Sequence, residues 1–229
     1  MTQRQTRITI TEDGPYVVAD GPQVQDKTIV ADADGNSVMW ETTGTHGEPG
    51  KYSLCRCGQS GNKPFCDNSH AKQGFDGKET APRKPYEELA EATEGPALDL
   101  HDREDLCATA RFCDHHGSVW EEVSSTDKPD VADMFTKQVN QCPSGRLRAY
   151  RAGTKEQVEW DRAPAISVTQ DPQEDCSAAI FVEGGIHIES HDGHVYEPRN
   201  RVALCRCGAS GNKPFCDGSH IEIGFSDKS

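Results

Sequence analysis

Long apolar runs are absent from these 229 residues. No stretch of about 18 apolar residues occurs, so no membrane-spanning helix is expected. Aromatic residues are sparse at 7%, and the hydrophobic fraction is only 34%. That is thin for a single well-filled core, and mean hydropathy is −0.76. Positive charge is scarce too: 24 Lys and Arg face 38 Asp and Glu, a net charge of −14. So acidic a chain is a poor partner for nucleic-acid phosphates, which call for basic patches. Met1–Arg7 is polar and has no apolar centre, so no secretory signal is expected there. Glycine loops of the Gly-x-Gly-x-x-Gly or Gly-Lys-Ser/Thr type, which cradle nucleotide phosphates, are missing. Cysteine, by contrast, is abundant, with 10 residues. Without a secretion signal, that number points to metal ligands in a reducing cytoplasm rather than to disulfides.

The cysteines sit in an internal repeat. Leu54–His70 reads LCRCGQSGNKPFCDNSH, and Leu204–His220 reads LCRCGASGNKPFCDGSH. The copies differ only at Gln59/Ala209 and Asn68/Gly218, and Gly74-Phe75 matches Gly224-Phe225 at the same offset. Such a match implies one structural unit used twice. Each copy is preceded by strand-like sequence. In the first, Thr6–Thr11 alternates and Tyr16–Val18 follows a Gly-Pro turn; in the second come Ala165–Thr169, Ile180–Val182 and Ile186–Ile188.

Each copy brings three Cys and one His within 16 residues, spaced Cys-x-Cys, then the third Cys, then His. So many soft donors in one short loop have little use in packing and read as ligands. Structural zinc also accepts three Cys and one His, but its sites more often use Cys-x₂₋₄-Cys pairs. Gly58, Gly61, Gly208 and Gly211 let the backbone wrap closely and aim N–H groups at sulfur. Pro64 and Pro214 stiffen the approach to the third Cys. Asp67 and Asp217 are expected to cap a short helix that carries the His, its positive end toward an anionic centre. Asn68 and Gly218 both tolerate left-handed backbone.

These runs resemble the CDGSH iron–sulfur domains of the mitoNEET family. Cys216–His220 is that motif letter for letter, and Cys66–His70 departs from it by one residue. The resemblance implies two [2Fe–2S] clusters. One would be held by Cys55, Cys57, Cys66 and His70, the other by Cys205, Cys207, Cys216 and His220, with Gly58, Gly208, Asp67 and Asp217 shaping the surroundings. It also implies a monomer whose copies pair about an intrachain pseudo-two-fold axis. Replacing a thiolate by neutral His takes the oxidised centre from roughly −2 to roughly −1 and raises its potential, as in Rieske centres. His also brings a proton, so the centre is expected to respond to pH.

Between the copies lies a different pattern. Cys107 and Cys113 match the outer positions of a Cys-x₂-Cys-x₂-Cys run, Ala110 stands at the middle one, and Cys142-Pro143 supplies a later Cys-Pro. A helix over 131–141, capped by Asp130 and ended by Pro143 and Gly145, would deliver Cys142. The segment resembles three-cysteine, single-cluster ferredoxins. That implies a [3Fe–4S] cluster, or a [4Fe–4S] cluster with a non-cysteine fourth ligand; a retained fold without a cluster is the alternative. His115 and His116 are expected at the solvated surface and Cys176 as a free thiol; either His completing the middle cluster, or Cys176 serving as a fourth ligand from another module, is the alternative. Trp40, Trp120 and Trp160 are too dispersed for a redox relay and are expected to pack.

The expected class is α+β: two small β-rich modules and a small α+β ferredoxin-like one. The divisions are 1–80, a linker 81–97, 98–155 and 156–229. Function is expected in electron transfer, or in storing and passing [2Fe–2S] clusters, with a protein redox partner or an apo cluster acceptor. An electron-input subunit of an oxidoreductase is the alternative, and a zinc-stabilised interaction module a third reading. No nucleophile–base set marks an enzyme of its own. If clusters stand in for a small core, the iron-free chain should be largely unfolded.

Overall fold

The computed structural model describes residues 5–115 and 117–227, so His116 lies outside the described residues. Strands form where alternation can bury one face. In β1 (Arg7–Ile10), Ile8 and Ile10 are buried while Arg7 is exposed. β2 (Tyr16–Gly21) returns antiparallel, with Val18 opposite Ile8. β3 (Val24–Ala31) and β4 (Ser37–His46) form a hairpin that the sequence reading passes over. Their polar residues face water, so apolar alternation is faint. β5 (Gly50–Leu54) pairs with β2 and leads into the first ligand loop, which ends on α1 (Ser69–Gln73).

The middle segment holds β6 (Glu91–Thr93), β7 (Leu98–Asp102), α2 (Val119–Glu122), α3 (Pro129–Gln141) and β8 (Leu147–Arg151). Its sheet runs β6-β7-β8, and Phe135 and Val139 of α3 pack on Leu98, Leu100 and Leu147. The helix begins two residues earlier than expected. Pro129 opens it after Lys128, where its missing N–H costs nothing, and Asp130 lies in the first turn rather than at the cap. The stretch expected as a linker is packed. Tyr86 is fully buried, its hydroxyl donates to the carbonyls of His101 (2.9 Å) and Arg146 (2.6 Å), and β6 lies just after it.

The second copy contributes β9 (Ala165–Asp171), β10 (Cys176–Glu183), β11 (His187–Glu189), β12 (Arg201–Leu204) and α4 (Ser219–Glu222). Two sheets result, ordered β11-β1-β2-β5 and β12-β10-β9-β3-β4. Each copy lends a strand to the other. β11 runs parallel to β1, with Ile188 beside Ile8, and β3 runs parallel to β9, with Gln25 beside Ser167. One apolar core therefore spans both, joining Ile8, Val18 and Leu54 to Ile166, Val182 and Leu204. The fold is α+β, and its core is more continuous than the 34% apolar content suggests.

Candidate metal centres

The two loops that carry the candidate ligands are hairpins closed at their base. The N–H of Cys55 donates to Pro64 O (2.8 Å) and that of Cys66 to Ser53 O (2.9 Å), which brings the third Cys back beside the first. Ser60 locks the turn: its hydroxyl donates to Phe65 O (2.6 Å) and accepts from Asn62 N–H (3.0 Å). The second loop repeats these bonds through Cys205–Pro214, Cys216–Ala203 and Ser210–Phe215.

The donors converge in pairs. Cys55 and Cys57 sulfurs are 3.7 Å apart, and Cys66 Sγ lies 3.4 Å from His70 Nδ1. Cys205 and Cys207 repeat the 3.7 Å separation, and Cys216 and His220 the 3.4 Å one. Among the described residues, no three donors close round one point as a single ion requires. Two pairs, each able to grip one metal, suit a binuclear centre. Backbone N–H groups turn toward sulfur, from Gln59 to Cys57 and from Asn68 to Cys66, both at 3.4 Å. Cys55 and Cys205 are drawn down to about 6, first by the neighbouring Cys thiol and then by loop N–H groups. Burial pushes the Cys66 and Cys216 thiols up.

Asp67 acts one position before its expected role. The residues at the helix start are Asn68 and Gly218, left-handed at φ 69° and 90°. The Asp67 carboxylate instead accepts from Gly61 N–H (2.8 Å) and Ser69 N–H (3.0 Å), tying the two halves of the loop; Asp217 does the same at 2.7 and 3.1 Å. The copies differ in exposure. Cys66 and His70 are half-buried, whereas Cys216 is 3% and His220 2% exposed.

Gly58 and Gly208 do more than wrap. A Cβ on Gly58 would meet Cys207 O at 2.5 Å, and one on Gly208 would meet Cys57 O at 2.6 Å. The two Cys-x-Cys loops therefore press backbone to backbone, which only glycine at positive φ permits.

In the middle segment Cys107, Cys113 and Cys142 line one pocket with Pro143 and Arg146. The cavity between them is small, about 30 Å³. Thr109 and Arg111 take left-handed backbone, φ 55° and 60°, to bend the 107–113 loop around it. Cys142 directly follows α3, and burial pushes Cys113 up to about 12. His115 does not sit at the surface. It is 6% exposed, and its Nδ1 faces Asp32 at 3.5 Å. Cys176 is buried at the start of β10 and pushed up to about 11 by that burial. Trp40 packs on Phe112 and Phe181, while Trp120 and Trp160 are partly exposed under Arg146 and Arg162.

Paired thiolate and imidazole donors, glycine cradles and a thiol-lined pocket all fit iron–sulfur groups. Comparison with known families agrees. The family described as iron-binding zinc finger, CDGSH type, matches residues 13–71 and 178–221, and the divergent 4Fe-4S mono-cluster family matches residues 93–152. The chain is a tandem CDGSH protein with a ferredoxin-like segment between its copies. Its cofactors are iron–sulfur. No curated protein and no solved structure matches the chain.

The tandem CDGSH arrangement also buries charged residues that no motif in the sequence singles out. Arg56 and Arg206 stand between the paired Cys of each copy, and both are buried. Arg206 is bound by Asp227, Ala178 O and Thr169 O. Arg56 bonds only Gly77 O among the described residues, between the Tyr16 and Phe75 rings. Arg201, fully buried, binds Glu159 and the carbonyls of Val139, Cys142 and Leu147. The Cys-Arg-Cys identity of the copies carried a signal for the first two. Nothing local in the sequence marked Arg201.

Proposed function

We propose that the chain is an electron carrier that also stores and passes [2Fe–2S] clusters. Cys55, Cys57, Cys66 and His70 would hold one [2Fe–2S] group, and Cys205, Cys207, Cys216 and His220 the other. Cys107, Cys113 and Cys142 would hold a [3Fe–4S] or [4Fe–4S] group. Such groups, when bound, supply one-electron carriage. The observation that carries the reading is the twofold pairing of donors at 3.7 and 3.4 Å in both copies.

The residues support distinct duties. Loop N–H groups aimed at Cys57 and Cys66 favour extra negative charge there. In the second copy, burial of Cys216 and His220 excludes water. In the first, half-exposed Cys66 and His70 leave the ligands open to an acceptor protein and to protons. pH sensitivity is therefore assigned to the first copy, while burial pushes His220 down to about 4. Interleaving through β3 and β11 supports a monomer whose copies pair within the chain. The net charge of −14 suits a basic redox partner protein. No helix among the described residues is long and apolar enough to cross a membrane, and a cytoplasmic setting fits the free thiols.

Anaerobic purification with iron and sulfide counts, and EPR before and after dithionite, tests the reading. About seven or eight irons per chain are expected, against about four if only the CDGSH sites fill. Zinc without sulfide would overturn it. Transfer to an apo-ferredoxin should be faster from the first site, so that His70→Cys slows it more than His220→Cys.

A further inference from the structure

We propose that the three centres form a row, middle site, second CDGSH copy, first CDGSH copy, in which Gly218 and Thr109 are the positioning residues that set the gap at its closed end. This rests on the ligand sets proposed above and adds their order. The middle ligand loop is seated on the second copy's ligand loop. A Cβ at Gly218 would lie 2.6 Å from Thr109 Cγ2, so a side chain there would push the two loops apart. Ala108, next to Cys107, packs with Ala179, Ala203 and Cys216 in one patch of small side chains. Small residues on both faces let the backbones, and whatever their sulfurs hold, approach closely.

Polar bonds fix the same contact. Arg111 lies inside the 107–113 loop and grips Asp171 of β9 with two bonds of 2.8 Å. Asp171 is 1% exposed, so this is a largely desolvated, two-pronged clamp. Asn212, in the second ligand loop, donates to Asp105 O (2.5 Å), two residues before Cys107.

Among the described residues the first copy has no such neighbour at the equivalent place. Asn68 stands where Gly218 does, keeps the left-handed backbone at φ 69° and is exposed. One of the two differences between the copies is thus explained: glycine is needed where Thr109 docks, and asparagine suffices where solvent lies. The other gap in the row is the reciprocal contact of Gly58 with Cys207 and of Gly208 with Cys57. The second copy is therefore interior, with a neighbour on each side, and the first is the open end.

The test uses the full chain with its metal. After dithionite, microwave-power saturation of the reduced CDGSH signals reports how closely the middle centre lies. Relaxation should be fast in the wild type and several-fold slower in Cys113→Ser, which removes a middle ligand. Gly218→Asn, copying the first repeat, should move relaxation toward the Cys113→Ser value with iron and sulfide counts kept. Ala209→Gln, which copies the other difference at an exposed position, should not. If Gly218→Asn loses iron, the double variant Gly218→Asn/Thr109→Gly, which makes room at a residue already left-handed, should restore both iron and fast relaxation. Unchanged relaxation in Gly218→Asn, or no rescue by the double variant, would overturn the row. Wild type that carries iron and sulfide in the expected amounts, yet relaxes like Cys113→Ser, would overturn the row alone. Wild type without iron and sulfide would overturn the functional reading beneath it.

Discussion

Replacing Arg201 by Met should loosen the middle segment from the second CDGSH copy. Arg201 is 1% exposed on β12, three residues before Leu204 and the second ligand loop. Its guanidinium donates to Glu159 (2.5 Å) and to the carbonyls of Val139 (2.5 Å), Cys142 (2.8 Å) and Leu147 (3.0 Å). Two of those carbonyls lie at the C-terminal end of α3, where helical partners run out and a cation is favoured. Four hydrogen bonds from a charged donor, at about 1.5–3 kcal/mol each, sum to roughly 6–12 kcal/mol. Several kcal/mol of that offset the desolvation of the cation, so removing it should cost about 3–5 kcal/mol net. Met keeps the length and apolar stem, so cavity formation adds little. With a urea slope of about 2–3 kcal/mol/M, the midpoint should fall by about 1–2 M at unchanged slope. Arg201→Lys, which keeps charge but not the fork, should fall between the two. A loss below about 1 kcal/mol would refute the view that this side chain joins the modules.

Asp227→Asn should raise the reduction potential of the second copy. It removes the carboxylate that neutralises buried Arg206, and losing one negative charge near the donors favours the added electron, on the order of tens of millivolts. By the same reasoning the first copy, whose Arg56 has no carboxylate partner among the described residues, should titrate higher than the second in wild type. Redox titration followed by EPR checks both, and coincident midpoints in wild type would count against them. Glu122 is pushed up to about 7 by burial, a pull opposed by the Gln138 amide. An acid whose folded pKa is raised destabilises the fold fully above pH 7, and this cost fades as pH falls toward the unfolded value of about 4.5. Glu122→Gln should thus melt higher than wild type at pH 8, by about 1 kcal/mol after allowing for solvent, and equally near pH 4.5. A gain that persists at pH 4.5 would point to packing instead. Finally, chelated, iron-free protein should keep a cooperative melt with β-sheet circular dichroism, because one apolar core spans both copies; a featureless melt would show the clusters to be essential to it.

The candidate ligands were legible because they repeat. Cys55, Cys57, Cys66 and His70 stand in one short run, and local hairpin bonds suffice to bring them together. The strands nearest them were legible for the same reason: Ile8 and Ile10 alternate on one buried face. What escaped depends on partners distant in sequence. β3 and β4 carry mixed polar faces, and β3 owes its place to β9, more than a hundred residues away. Tyr86 sits in a run rich in charge and proline, and only its buried hydroxyl bonds to His101 and Arg146 show that the stretch is packed. The burial of His115 escaped because a His pair just after Cys113 says nothing of Asp32, which is far away in sequence. Strand exchange through β3 and β11 pools the apolar residues of the two copies in one core, which separate counts for each module do not show.

Joining two copies in one polypeptide frees them from sameness. In a dimer of identical chains, every substitution appears at both sites, so a glycine that lets a neighbour dock on one would open the other as well. Here asparagine at 68 and glycine at 218 coexist in an otherwise matched pair of loops. Carrying both copies on one chain thus turns a symmetric object into one with an inside and an outside, and a single pair of unlike residues is enough to mark which is which.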